Sequence, residues 1–200
     1  MKIAPLILAI LTGLAIAGDE KPSKATVAVY TEYEHTSSDA VRSGLESEVG
    51  SILSPLGFDV RWRDASRAGT EVWADLAMIR FHGDCDPRSK TYPLFAPGPL
   101  GWTQITDGII QPFADINCDR IGGMIQGVSV HAGERLFARA VGRVVAHELY
   151  HIFVKTSVHE GSGIGKPEFT TRDLLSDRFT FHPVQAHALR VRCQNLFFHR

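Results

Sequence analysis

Residues 143–155 read Arg143-Val144-Val145-Ala146-His147-Glu148-Leu149-Tyr150-His151-Ile152-Phe153-Val154-Lys155, and this stretch decides how the rest of the chain is read. An α-helix turns once in about 3.6 residues. His147 and His151 therefore stand one above the other on one face, able to present two imidazole nitrogens to one metal ion. Glu148 is one step round the helix, within reach of a water molecule held beside them. Two neutral nitrogen ligands and a carboxylate base are what metal-assisted hydrolysis needs. Apolar residues lie on nearly all sides of the stretch, which predicts a helix over 133–155 buried from several directions. An unpaired buried glutamate is costly, and this argues for a cation near Glu148.

Working upstream, residues 25–32 are β-branched and apolar and predict a first strand. Ser37-Ser38-Asp39 offers an N-cap for a helix over 40–56, in which Val41, Leu45, Val49, Ile52 and Leu53 recur at helical spacing. Pro55 and Gly57 end it. Strands are predicted over 58–62 and 75–81, then a long loop rich in Pro, Gly and Asp over 82–99. Two apolar runs, 100–105 and 109–116, flank Thr106-Asp107-Gly108 and form a hairpin. This order gives an α/β (α+β) fold: a mixed, mainly parallel five-stranded sheet with one antiparallel edge strand, packed on two long helices. A small helical segment over 160–200 completes it, ending in a helix over 183–197.

The N-terminus has the form of a secretion signal over 1–17: Lys2, a short apolar run, then Ala15-Ile16-Ala17 as a cleavage site. The expected mature chain is a single domain over 18–200, exported to the periplasm or beyond, with no stable membrane insertion after cleavage. Seven residues, 18–24, then precede the first strand, too few for a folded inhibitory segment. The chain carries 21 basic and 22 acidic residues, a balance that gives no electrostatic case for nucleic acid or anionic lipid. Arg135, Arg139 and Arg143 line up at helical spacing and read as a solvated helix face. Of three cysteines, Cys85 and Cys118 each follow a predicted strand. They emerge together if the third and fifth strands are parallel neighbours, which makes them the expected disulfide in an exported chain. Cys193 is then a buried thiol. No C-x-x-C spacing is present to suggest a cysteine zinc site.

Zinc wants a further protein ligand. Thr156, Ser157, Val158, Gly161 and Gly163 disfavour any long continuation of the helix, and a reversal after Lys155 would return His159 beneath the two helical histidines. Glu168 or Asp173 would give an acidic third ligand of the gluzincin type, and Glu160 neighbours His159.

With the motif helix, the preceding strand order and a histidine just past the helix, residues 25–159 resemble the metzincin group of zinc peptidases. That group extends the motif to H-E-x-x-H-x-x-G-x-x-H and carries a methionine turn beneath the metal. Here Val154 and Ser157 occupy the Gly and third-His positions, and no Met follows Met124. Leu174-Leu175-Ser176 is the candidate substitute for the turn. The resemblance implies that His147, His151 and His159 bind Zn2+ and that Glu148 is the general base of a peptidase. It also implies a peptide or protein substrate, held against the edge strand at Gly101-Trp102-Thr103. An inactive metzincin-like binding or scaffold protein is the alternative. His82 and His131 read as surface or capping residues. His35, His182, His187 and His199 read as solvated or packing positions, and Arg178 or His182 as an oxyanion stabiliser.

Overall fold

β1 (Ala25–Tyr33) runs through the middle of the sheet and is buried on both faces, with Val27, Ala28 and Val29 wholly inaccessible. The chain is described as a computed structural model covering residues 24–88, 92–93, 97–126 and 133–198. The expected signal segment, His131 and His199 lie outside these residues. Ser38 caps α1 (Asp39–Leu53), its side chain accepting from the Val41 N–H. Pro55 cannot donate to the helical ladder, so the last predicted turn is a short 3-10 turn at Ser54–Leu56.

β2 (Phe58–Asp64) and β3 (Leu76–His82) flank β1 in parallel. β4 (Gly101–Thr106) and β5 (Ile109–Asn117) form the hairpin. Asp107 and Gly108 both take positive φ, 52° and 75°, the geometry a two-residue hairpin turn needs to follow the strand twist. The sheet order is β2-β1-β3-β5-β4, with β3 and β5 parallel and β4 antiparallel at the edge. The predicted architecture and its antiparallel edge strand are therefore present.

Inward-facing Val27, Val29, Ala77, Ile79, Phe81, Ala114 and Ile116 alternate along their strands. They meet α1 and the long helix α3 (Gly133–Val154), which also pack tightly on each other. Beyond α3 come α4 (Thr171–Leu175) and α5 (Pro183–Phe198). Cys85 and Cys118 are disulfide-bonded where β3 and β5 leave the sheet side by side. Cys193 is a buried free thiol that donates to the Gly57 carbonyl at 3.0 Å.

Two expectations change. Residues after β5 form a helix, α2 (Cys118–Ile125), capped by the Asn117 side chain. Its adjacent glycines, Gly122 and Gly123, hide it from a propensity reading. The arginine row of α3 is also not a solvated face. Arg135 is exposed, but Arg139 donates to the carbonyls of Leu175 and Ser176 and to Asp177. Arg143 is 1% exposed. Helical spacing places three arginines on one side, and only the later chain reveals that α4 lies over that side.

Candidate metal centre

The helix that carries the motif ends on an unusual residue. Lys155 takes φ 57°, and the Thr156 N–H donates back to the His151 carbonyl at 3.3 Å. This is a Schellman ending with lysine at the left-handed position that glycine normally fills. The predicted reversal thus occurs one residue after Val154. A left-handed lysine is strained, so Lys155→Gly is expected to stabilise the fold by about 0.5–1 kcal/mol after glycine's entropy cost. A thermal melt reads this as a rise of roughly 1–4 °C; an unchanged or lower midpoint would show that the exposed lysine compensates for its strain.

The reversal returns His159 to the two helical histidines. The ring centroids of His147 and His151 are 4.7 Å apart, those of His147 and His159 5.2 Å, and those of His151 and His159 4.7 Å. One potential ligand atom from each of the three lies within 4.8 Å of the others. His147 and His151 are buried; His159 is exposed. The fold therefore brings together the three histidines that the spacing singled out.

Backbone carbonyls orient the two buried rings. His147 Nδ1 lies 2.7 Å from the Ile164 oxygen, and His151 Nδ1 lies 2.7 Å from the Thr156 oxygen. A carbonyl only accepts, so both Nδ1 atoms must carry the proton. The two Nε2 atoms then face each other as lone pairs, 3.0 Å apart. Only a cation between them makes this arrangement favourable, and a proton is a poor candidate. Burial, aided by His151, lowers the His147 pKa to about 3; the Ile164 bond opposes it and His159 adds a little. Burial likewise lowers His151 and His159. Tetrahedral zinc, with Zn–N near 2.0–2.1 Å, sets its ligand nitrogens roughly 3.3 Å apart. The donor set fits such an ion.

Glu148 lies beside the cluster, 3% exposed. Thr103 Oγ1 donates to its Oε2 at 2.7 Å. Burial raises its pKa to about 7; the Thr103 bond opposes that shift and Asp115 adds to it. The sequence places Thr103 only on the substrate-holding edge strand; its bond to Glu148 is new, and strand alternation carries the signal. Gly101 and Thr103 share the inner face of β4, and a Cβ on Gly101 would lie 2.9 Å from Glu148 Oε1. The edge strand thus approaches the carboxylate because Gly101 has no side chain. The orienting carbonyls leave no mark in side-chain sequence.

Two openings flank this point. One, of about 470 Å³, is lined by Gly101, Arg120, Met124, His147, Glu148 and Glu168 among others. A smaller one, of about 280 Å³, is lined by Trp102, Thr103, His151, Ser157 and His159 among others.

The competing acidic residues are placed differently. Asp173 closes a capping box with Thr170 and pairs with Lys166 at 2.5 Å. Glu160 Oε2 lies 3.9 Å from His182 Nδ1. Glu168 lines the larger opening, which His147 and Glu148 also line. Arg178 lines a separate cavity with Glu48 and Arg143. Leu174-Leu175-Ser176 braces Arg139 and Arg143, ahead of the motif, whereas Phe169 stands edge-on to His147 with centroids 5.5 Å apart. His82 pairs with buried Asp115 at 2.7 Å and stacks on Trp102, away from the three histidines on the sheet's other face.

These elements define a metzincin-like α/β fold with a three-histidine cluster at the end of its central helix. Among solved structures, the crystal structure of archaemetzincin from Methanopyrus kandleri is similar, with a TM-score of 0.51 and 12% sequence identity. The likeness covers 90% of this chain and 99% of that one, so it extends over the whole architecture. No family model and no curated protein matches the sequence.

Proposed function

We propose that this chain is an exported, zinc-dependent peptidase, a divergent relative of the metzincins. In this reading His147, His151 and His159 hold Zn2+, and Glu148 is the general base. The observation that carries it is the pair of carbonyl-oriented imidazoles whose lone pairs converge at 3.0 Å. Zinc, when bound, supplies Lewis-acid polarisation of a peptide carbonyl and acidifies water. Glu148, raised toward neutrality by burial, is suited both to take a proton from the attacking water and to deliver it to the leaving amine. Thr103 holds one carboxylate oxygen and leaves the other for that exchange. The free edge of β4 offers backbone groups for an extended peptide, and the flanking openings would take its side chains. The Cys85–Cys118 disulfide supports an oxidising, exported location. No described helix is long and apolar enough to cross a membrane.

The deciding experiment is the metal content of protein purified without added metal or chelator, beside His159→Ala. The wild type is expected to carry a single zinc. The variant should bind it more than about a hundredfold more weakly, since loss even of an outer-shell partner costs about 10–100-fold. Unchanged affinity in the variant would move the third ligand to Glu168. A folded wild type that refuses zinc would overturn the reading.

A further inference from the structure

The buried polar side chains outside the histidine cluster include one that packing does not explain. Gln185, in the first turn of α5, is 1% exposed. Its Nε2 donates to the Gly165 carbonyl at 2.9 Å, and the amide also reaches the Tyr150 hydroxyl on the motif helix, while its Oε1 is buried with no donor among the described residues. A buried acceptor without a partner lowers stability, and a leucine of similar volume would avoid that cost. As packing, glutamine is a poor choice here.

Its donor, in contrast, is placed at the hinge of the site. The Gly165 carbonyl also accepts from the Glu160 N–H at 3.1 Å, which closes the segment immediately after His159. The preceding carbonyl, of Ile164, receives His147 Nδ1. The Ile164 N–H is itself held by the Thr180 carbonyl at 3.0 Å. Glycine torsions are the softest in a chain, so the Gly165 joint needs an external hold. Gln185 supplies it in the space a side chain would fill: a Cβ on Gly165 would lie 1.9 Å from Nε2.

We infer that Gln185 is a positioning residue for the three-histidine site. By holding the Gly165 carbonyl it fixes both the segment carrying His159 and the Ile164 carbonyl that orients His147. The inference rests on the zinc-site reading above. Orienting partners of this kind set ligand tautomer and direction without touching the metal.

The test is zinc affinity, by competition with a chromophoric chelator, for wild type and Gln185→Leu, together with the melting temperature of each metal-free protein. Gln185→Leu is expected to bind zinc about 10–100-fold more weakly, with a metal-free midpoint equal to or above that of the wild type. The visible spectrum of the Co2+-loaded protein should change with it. Gly165→Ala provides a second route, expelling the amide while keeping Gln185, and the same loss of affinity is expected. Wild-type affinity in the folded variants, whatever their melting temperatures, would overturn the inference and leave the zinc reading standing. A wild type that binds no zinc overturns the reading itself, before any variant is compared.

Discussion

Replacing Glu148 with Gln is expected to lower peptide hydrolysis by about 10²–10⁴-fold, the usual contribution of a positioned general base. Zinc content should stay at the wild-type level. The substitution keeps shape and packing, and the amide oxygen can still accept from Thr103, which donates to the carboxylate at 2.7 Å. What is lost is a group able to take and return a proton. Burial, the largest cause of the raised Glu148 pKa near 7, brings that group close to the pH at which both halves of the exchange are efficient. The measurement pairs zinc analysis with cleavage of a peptide library that the wild type cuts. Turnover surviving the change would remove Glu148 from the mechanism. A zinc-loaded wild type that cuts nothing would put the scaffold reading first.

The largest effect on stability is expected at Arg143. Its guanidinium is buried on the motif helix, one turn before His147. It donates to Glu48 at 2.8 Å, to the Asp173 and Ser176 carbonyls at 2.5 Å each, and to Ser176 Oγ at 3.2 Å. The ring of Phe179 lies 5.6 Å from its charge centre. One side chain thus ties α3 to α1 and to α4. Arg143→Met would leave Glu48 and the Asp173 carbonyl without their donor, and the Ser176 carbonyl with only the longer bond from Arg139 at 3.3 Å. Breaking a buried pair from one side costs about 3–5 kcal/mol, which a thermal melt would register as a fall of about 10 °C. Adding Glu48→Gln should recover part of the loss, because the stranded charge is then gone. A cost under about 1 kcal/mol would mean that the pair behaves as a surface ion pair.

The same residue shows where sequence reading stops. Spacing placed Arg135, Arg139 and Arg143 on one side of a helix, which is a local property of the chain. Whether that side meets water depends on α4, some thirty residues later in the chain, and no local pattern reports it. Helix α2 was hidden by Gly122 and Gly123, whose helix cost is overcome by packing and the Asn117 cap. The antiparallel edge strand and the Cys85–Cys118 pairing were legible. They follow from strand alternation, an Asp-Gly turn and the common exit of two parallel strands.

For the candidate site the division is similar. His147 and His151 follow from helical period, because residues four apart must share a face, and Glu148 follows as the carboxylate one step round from them. His159 follows from composition that ends a helix, together with the short reach of the chain back toward it. The left-handed turn at Lys155, the Ile164 and Thr156 carbonyls that fix two ring tautomers, the Thr103 hydroxyl on Glu148 and the Gln185 hold on Gly165 were decided only in three dimensions. Most of these contacts run from a side chain to a backbone carbonyl, and the Thr103–Glu148 bond joins two side chains 45 residues apart. A carbonyl is present at every residue, so only the fold can say which ones matter.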